Sequence, residues 1–298
     1  MHHFDFLGKA KYFVPISIVL VLISWILLIP GVRGLNLGID FTGGTEFTVD
    51  FDEPVSTADV RSVLAGIPSP TDLSKSVIQD VSGKNRKVIT TQLDVEENHD
   101  TIERIETTLK DKFAVNEISR KSIGQQVSKE LTEKGWQAIL LALVVILIYV
   151  SWRFRLRYAV GAVTAVIHDV SIALGIFALF RIDINLPTIA AFLTIIGYSL
   201  NDTIVIFDRI RENMKLNRKG SIFDIINKSV NQSLSRTLNT SFTTFIPVVI
   251  LFLFGGSVLR GFSVALLIGV VVGTYSSMYI ANPILYAWTL KAAKAKKH

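Results

Sequence analysis

An acidic side chain and an amide side chain lie next to each other in an otherwise apolar stretch of this chain. Asn201 and Asp202 are in the middle of residues 194–213, which begin apolar and end charged. A carboxylate inside a membrane costs about 2.5–3.5 kcal/mol on insertion scales, and such residues usually face a bundle interior or a water-filled cavity. If this stretch spans a membrane, Asp202 is therefore a candidate functional residue.

Two other apolar segments also carry polar side chains at helical spacing. Lipid-facing surfaces have no use for polar stripes, so we expect the three polar faces to converge inside a helix bundle. The stripes are Gly161, Thr164, His168, Ser171 and Gly175, with Asp169 beside them, in residues 158–180; Thr194, Gly197, Tyr198, Asn201 and Asp202 in residues 186–207; and Arg236, Thr240, Thr243 and Pro247 in residues 236–256.

Asp202 and Arg236 are two charged residues of these stripes that both lie in the inner half of the predicted spans, so that Arg236 could approach Asp202. Asp202 lies about six residues, or ~9 Å, before the basic loop that follows its segment, and Arg236 begins the next segment after that loop. Asp169 is deeper, at about 11 residues or ~16 Å from the corresponding end of its own segment. The proton affinity of a buried carboxylate depends on nearby cations. A movement of Arg236 relative to Asp202 would therefore make the acid take up or release a proton.

The residues alone leave three interpretations of Asp202 and Arg236 open. The first is a proton relay, the second a static ion pair that holds helices together, and the third a site for another ion or a substrate. For His168, which titrates near neutral pH in water, a plain hydrogen bond across helices is the alternative to a relay role. The predicted proton pathway comprises Asp202, Arg236, Asn201, Tyr198, His168, Asp169 and Thr240, with protons as the coupling ion and no cofactor.

The composition places the whole chain among membrane proteins. Of its 298 residues, 50% are hydrophobic and only 19% are charged, with a mean hydropathy of +0.45. The absence of cysteine excludes a disulfide framework and a thiolate nucleophile. The net charge of +6 is not gathered in a basic patch with aromatic residues, which argues against nucleic acid as a partner. No metal-ligand spacing or nucleophile set stands out, so we predict neither a metal site nor an enzyme.

Six apolar segments are long enough to cross the hydrocarbon core of a bilayer. Lys and Arg concentrate in short loops, such as Arg153, Arg155 and Arg157, and the positive-inside rule then places both termini in the cytoplasm. We predict a cytoplasmic N-terminus at 1–11; spans at 12–31, 135–152, 158–180, 186–207, 236–256 and 261–290; a cytoplasmic loop with an amphipathic helix at 208–235; and a cytoplasmic basic tail at 291–298.

Residues 32–132 are polar enough to fold outside the membrane. Period-two and helical patterns predict the order β-α-β-β-α-β, which is the ferredoxin-like pattern. We therefore expect an α-helical membrane protein of six spans with an α+β ferredoxin-like extracytoplasmic domain between the first and second. Residues 82–85 are expected to form its hairpin turn, and Gly43 with Gly44 a backbone irregularity at its first strand. The strands are predicted at 46–51, 75–81, 86–93 and 115–121, and the helices at 56–65 and 100–113.

Small residues repeat every four positions in the sixth apolar segment. These residues are Gly269, Gly273 and Ser277. Small side chains at this spacing let helix backbones approach closely. We therefore predict a helix-packing face rather than a binding site.

Four motifs taken together resemble those of the SecF proteins, protein-export membrane proteins of the SecD/SecF family in the resistance-nodulation-division superfamily. The similarity covers essentially the whole chain. The motifs are GIDFTGGT at 38–45, His168-Asp169-Val170, GYSLNDTIVIFDRIRE at 197–212 and NQSLSRT at 231–237.

The resemblance implies a function that the residues alone do not give. It implies a subunit that pairs with SecD in the cell inner membrane and associates with the SecYEG channel and with YajC. It would use the proton-motive force to draw preproteins out of the channel after the SecA-driven step. It also assigns Asp202 and Arg236 to the proton pathway. One alternative is a structural scaffold of the translocase. The other is a small-molecule or lipid exporter of the same superfamily, although the single outer domain is small for a substrate-binding pocket of its own.

Overall fold

The computed structural model describes residues 4–81, 85–153, 156–217, 220–256 and 259–295, which form two compact units, Leu37–Gln137 and the remainder of the chain. Residues 82–84 of the predicted turn, Arg155 and the last three tail residues lie outside these ranges. The helices are α1 (Phe6–Leu28), α2 (Ile39–Thr42), α3 (Thr57–Ala65), α4 (His99–Lys112), α5 (Gln125–Arg153), α6 (Leu156–Phe180), α7 (Leu186–Leu216), α8 (Ile222–Phe254), α9 (Arg260–Tyr279) and α10 (Ala281–Ala295); the strands are β1 (Asn36–Leu37), β2 (Gly44–Phe51), β3 (Val77–Val81), β4 (Arg86–Thr91), β5 (Val115–Ile123) and β6 (Asp183–Ile184).

The smaller unit, Leu37–Gln137, contains a four-stranded antiparallel sheet with two helices packed on it. The strand order is β3-β4-β2-β5, and with α3 after β2 and α4 after β4 the chain follows the predicted β-α-β-β-α-β order. Phe47 and Val49 on β2 alternate toward the helices and are fully buried. They pack in one apolar cluster with Ile105 and Leu109 of α4. This alternation of apolar residues gives the sheet one buried face.

Two glycines shape the chain where it enters this sheet. Gly43 and Gly44 have φ angles of 71° and 114°, which lie in the region that side chains with a Cβ rarely adopt. A Cβ on Gly44 would also overlap the backbone carbonyl of Thr91 on β4. The irregularity expected at the first strand therefore has both a conformational and a steric cause.

The larger unit contains six helical segments that are long and apolar enough to cross a membrane. Helix α7 packs most extensively against α9, and α8 and α6 each pack on both of them. Helices α6 and α8 therefore both pack on α7, and α9 from the sixth segment packs against all three. The polar stripe predicted for the fifth span does not turn inward, because its residues Arg236, Thr243 and Pro247 are exposed. Which residues of each helix lie within the bilayer stays a prediction.

Helix α8 is one continuous helix where the sequence suggested an amphipathic helix followed by a span. No proline or glycine interrupts it between Ile222 and Ile246. Ile225, Ile226 and Val230, the apolar residues of the amphipathic segment, are buried. Ile226 and Val230 belong to the same cluster as Phe207 of α7. This apolar face is covered by the protein itself.

The sixth apolar segment, predicted as one span, consists of two helices that meet at Ile280. Pro283 has no backbone N–H and its ring would clash with the carbonyl group of residue 279 in a continuous helix. The amide of Asn282 donates to the carbonyl oxygens of Ser277 (2.7 Å) and Met278 (3.3 Å) at the end of α9. Asn282 thus replaces part of the backbone hydrogen bonding that the break removes.

Candidate functional site

Asp202 lies on the buried face of α7 with an unused acceptor. Asp202 is only 2% exposed. Oδ2 is buried and has no hydrogen-bond partner among the described residues. Buried polar atoms are nearly always paired in folded proteins, so an unpaired one needs an explanation. A carboxylate in this state is available to a proton or to a water molecule.

Arg236 on α8 is the cation whose charge lies near the buried Asp202 carboxylate. In the described part of the chain, however, the two side chains form no ion pair, and Arg236 is exposed on the surface of the bundle. The structure therefore does not contain the closed, static ion pair that the sequence left open.

Tyr198 lies one helical turn before Asp202 on α7 and points into a group of hydroxyl side chains. Its own hydroxyl is buried without a hydrogen bond in the described residues. Ser241 and Thr244 of α8 and Thr274 of α9 are its polar neighbours, and the Asp202 charge also acts on it. Tyr198 thus has Asp202 one turn along its own helix and hydroxyl groups of α8 and α9 as neighbours.

Ser241 and Thr274 link α8 to α9 directly. Their hydroxyl oxygens are 2.6 Å apart, and either can be the donor. Each also has a carbonyl acceptor on its own helix, at 2.8 Å from Ser241 and 2.6 Å from Thr274. Because a hydroxyl has one proton to donate, at any moment one of the two must give up its carbonyl bond to make the link.

Two more buried hydroxyl groups belong to the residues that follow Asp202 and Arg236 in the sequence. Thr203 follows Asp202 and Thr237 follows Arg236, and the Oγ1 atoms of both are buried without a partner among the described residues. Neither threonine was singled out by the sequence, and neither were Ser241 and Thr274. The helical spacing of the hydroxyl residues 237, 241 and 244 on the predicted fifth span could have indicated a second polar face of that helix.

Asn201 and Thr240 lie away from the buried acid. Asn201 is exposed on α7. Thr240 is half-buried, and its hydroxyl donates to the carbonyl oxygen of Arg236 at 2.9 Å. Two of the predicted pathway residues, Asp202 and Tyr198, therefore lie inside the helix bundle. Asn201 and Arg236 lie on the surface of the bundle.

Asp169 forms a second and different acidic site. The residue is fully buried on α6. Oδ2 accepts hydrogen bonds from Ser199 Oγ of α7 (2.5 Å) and from Ser276 Oγ of α9 (2.8 Å), and Oδ1 lies 2.8 Å from Nδ1 of His168. Both carboxylate oxygens are therefore engaged, in contrast to Asp202. This site joins three helices through one side chain.

His168 extends the Asp169 site toward α1. Its ring stacks on Tyr275 of α9 with the centroids 5.9 Å apart. The Tyr275 hydroxyl lies 2.7 Å from Ser17 Oγ and donates to the carbonyl oxygen of Phe13 at 3.0 Å. Nε2 of His168 is buried and has no partner in the described ranges. The predicted place of His168 and Asp169 in the proton pathway stays a prediction.

The small residues of α9 contact α7 and α6 closely. A Cβ on Gly269 would overlap the side chain of Ile195. A Cβ on Gly273 would lie 3.3 Å from Ser199 Cβ and 3.6 Å from Asp169 Oδ2. The hydroxyl of Ser277 donates to the carbonyl oxygen of Thr274 at 2.9 Å, within α9. These contacts give the small-residue face a packing role. Among the described residues no group of His, Asp and Glu is arranged to hold a metal ion.

Comparisons with known proteins match nearly the whole chain. The family model for the C-terminal region of protein export membrane proteins SecD/SecF matches residues 104–291, and the model of the SecD/SecF GG motif matches residues 29–55. Protein translocase subunit SecF of Petrotoga mobilis is 39% identical over 303 residues, with all of both chains covered. SecF of Calditerrivibrio nitroreducens is 44% identical over 290 residues, covering 95% of this chain and 93% of the relative.

Solved structures give the same result. The crystal structure of SecDF from Thermus thermophilus, described as a translocon-associated membrane protein, has a TM-score of 0.86 and 36% sequence identity, and the match covers 97% of this chain. SecDF in a super-membrane-facing form has a TM-score of 0.70 and 35% identity over 100% of this chain. This chain spans only 39% and 40% of those two SecDF chains.

Proposed function

The chain belongs to the SecD/SecF family of protein-export membrane proteins, and we propose that it is the subunit of a SecD–SecF complex that couples the proton-motive force to preprotein export. The observation that carries this proposal is the Asp202 carboxylate, which is buried in a membrane-spanning helix and whose Oδ2 has no partner in the part of the chain that the structure describes. Ionisable residues at such positions mark ion pathways and proton relays. The free acceptor gives a proton a place to bind.

Arg236 supplies the means of coupling proton binding to motion. Its charge acts on Asp202 from α8 without a direct bond, so the interaction changes as α7 and α8 move. We propose that Asp202 takes up a proton from the outer side when Arg236 is distant and releases it to the cytoplasm when Arg236 approaches. A proton gradient then favours one direction of helix movement, because the charge state of Asp202 determines which arrangement of the two helices has the lower free energy.

A SecD partner also accounts for the polar residues on the surface of the bundle. Arg236, Asn201 and Thr243 are exposed on α7 and α8. Charged and amide side chains in contact with lipid are costly, and such side chains normally face protein or a water-filled cavity. Since this chain spans 39% of a SecDF chain, we propose that the membrane helices of SecD cover this face.

The remaining assignments follow from the family resemblance. We propose that the complex lies in the cell inner membrane with both termini of this chain in the cytoplasm and the unit Leu37–Gln137 outside. There it would act on preproteins leaving the SecYEG channel, with YajC as a further associated subunit. The short basic loops around the spans, such as the one containing Arg153 and Arg157, support this orientation. We propose no covalent chemistry and no cofactor, with protons as the coupling ion.

The direct test is proton flux through the complex of this chain with SecD in proteoliposomes. A pH-sensitive dye inside the vesicles records acidification after an imposed gradient. Asp202→Asn keeps the shape and the burial but cannot be deprotonated, so the flux is expected to fall to the level of empty vesicles. Asp224→Asn, which changes an exposed carboxylate on α8, is the matched control and is expected to retain the flux.

Two outcomes would favour other functions. If Asp202→Asn retains both proton flux and preprotein export, while Arg236→Ala causes loss of SecD from the complex, the chain is a structural scaffold. If Asp202→Asn blocks efflux of a small molecule or lipid and leaves preprotein export unchanged, the chain belongs to an exporter.

A further inference from the structure

We infer that protons reach Asp202 through the hydroxyl groups of Tyr198, Ser241 and Thr274, so that α9 is part of the proton route together with α7 and α8. This inference rests on the proposed proton-coupled function and specifies its path on the outer side of Asp202. It adds two residues, Ser241 and Thr274, that sequence reasoning did not select.

Position along the helices supports the inference. Tyr198 precedes Asp202 by four residues on α7, so both side chains lie on one face of that helix, one turn apart. Because α7 runs from the outer side toward the cytoplasm in the proposed topology, Tyr198 is the outer neighbour of Asp202. Its buried hydroxyl has no hydrogen bond in the described residues, although Ser241 and Thr274 are next to it.

The hydroxyl pair has the property that a proton-conducting link requires. Ser241 and Thr274 are 2.6 Å apart and compete with two carbonyl acceptors for two protons. In one orientation Ser241 donates to Thr274 and gives up its bond to the carbonyl oxygen on α8. In the other, Thr274 donates to Ser241 and gives up its bond to the carbonyl oxygen on α9. Both orientations use the same heavy-atom positions, so the direction of donation can reverse without a movement of either helix.

The transfer is balanced at every atom. A bridging water molecule first joins the phenolic hydroxyl of Tyr198 to Oδ2 of Asp202, since neither atom has a hydrogen-bond partner among the described residues. The phenolic O–H bond then breaks as its proton passes to this water, and the water gives one of its own protons to Oδ2. The phenolic oxygen at the same time accepts a proton from Ser241 or Thr274, and that hydroxyl accepts a proton from hydronium on the outer side, which becomes water. Each hydroxyl and the bridging water end as they began, and the net change is that one proton has moved from the outer solution to the Asp202 carboxylate.

The Asp169 site does not offer an equivalent route. Ser199 and Ser276 donate to one oxygen of Asp169 and His168 contacts the other, so a proton arriving there would have to displace an existing bond. The two sites diverge on α9, where Thr274 faces α8 and Ser276 faces Asp169. Thr274 and Ser276, two residues apart on α9, thus belong to different sites. Thr274 adjoins the site of Tyr198 and Asp202, and Ser276 bonds to Asp169.

The test measures proton flux in proteoliposomes that contain the chain with SecD. Tyr198→Phe removes one hydroxyl, and the double variant Ser241→Ala/Thr274→Val removes the other two. Each is expected to lower the flux at least roughly tenfold, since a positioned proton-transfer group contributes about 10²–10⁴-fold and water can replace part of it. Ser263→Ala is the matched control, because Ser263 is buried on α9 and donates only to its own helix, at 2.7 Å from the carbonyl oxygen of Leu259.

Two further comparisons make every result decisive. The double variant Ser241→Thr/Thr274→Ser retains both hydroxyls and is expected to keep the flux that Ser241→Ala/Thr274→Val loses, which decides the question even if Tyr198→Phe does not assemble with SecD. If Asp202→Asn abolishes the flux while Tyr198→Phe and Ser241→Ala/Thr274→Val keep it, the hydroxyl route is wrong and the proposed function stands. If Asp202→Asn itself keeps the flux, the proposed function is wrong as well.

Discussion

The hydroxyl of Ser199 lies 2.5 Å from Oδ2 of Asp169, which binds α7 to α6 three residues before α7 presents Asp202. One helix therefore connects two buried acids whose surroundings differ. Asp169 accepts from donors on its own and two other helices, whereas Oδ2 of Asp202 accepts none in the described residues. Asp169 therefore has hydrogen-bond partners for both carboxylate oxygens, whereas Asp202 has an oxygen without a partner among the described residues.

Asp169→Ala is expected to destabilise the bundle. It leaves Ser199 and His168 without the Asp169 acceptor, while Ser276 keeps the carbonyl oxygen of Gly273 at 3.1 Å, and each buried polar group that loses its partner costs about 1–3 kcal/mol. Thermal unfolding in detergent should show a clear decrease in midpoint. Asp224→Ala, at an exposed position of α8, should leave the midpoint unchanged, and an equal midpoint for both variants would contradict a structural role for Asp169.

Arg236→Lys is expected to keep a substantial part of the proton flux, and Arg236→Gln to lose it. Arginine and lysine differ most where a carboxylate is bound through two parallel hydrogen bonds, and in the described part of the chain Arg236 makes no such contact with Asp202. In the proposed mechanism the charge of residue 236 is what matters, and lysine retains it. The flux assay with SecD compares the two variants, and equal loss in both would mean that Arg236 acts through a direct contact in another state.

Gly269→Ala is expected to reduce the stability of the bundle or the yield of assembled protein. A Cβ at this position overlaps the side chain of Ile195, and overpacking of a tight interface typically costs about 1–3 kcal/mol. Gly197→Ala is the matched control, because a Cβ there has nothing within 4 Å. Alanine also favours a helix by roughly 1 kcal/mol over glycine. The unfolding midpoint should therefore fall for Gly269→Ala only.

Two asparagines of α8 are expected to protect the backbone at the start of the described chain from hydrogen exchange. The side-chain oxygen of Asn227 accepts from the backbone N–H of Phe6 at 2.8 Å, and that of Asn231 accepts from the backbone N–H of Phe4 at 2.9 Å. Asn227→Ala/Asn231→Ala should speed the exchange of these amides by at least about tenfold, since each loses its acceptor. Asn239→Ala, at an exposed position farther along α8, should leave the exchange rate unchanged.

The architecture could be predicted because it depends on local patterns. Apolar segments of about 20 residues match the thickness of a bilayer, and the alternation of Phe47, Val49 and Phe51 predicts a strand with one buried face. The element order of the unit Leu37–Gln137 follows from such patterns alone. The break at Ile280 was missed because Asn282-Pro283 lies in a segment whose hydropathy continues through it, although a proline at that position disfavours a continuous helix.

By itself the sequence determined which helix carries the candidate acid and that this acid must be covered, because a carboxylate in an apolar segment needs protein or water around it. Only the tertiary structure decided which partners each acid has. Ser276 and Thr274 belong to a segment whose small residues predicted packing and nothing more, yet Ser276 donates to Asp169 and Thr274 bonds to Ser241. Spacing along one helix specifies the face of a side chain. The atoms opposite that face depend on how the other helices pack. Among the described residues, that packing gives both oxygens of Asp169 a partner and leaves Oδ2 of Asp202 without one.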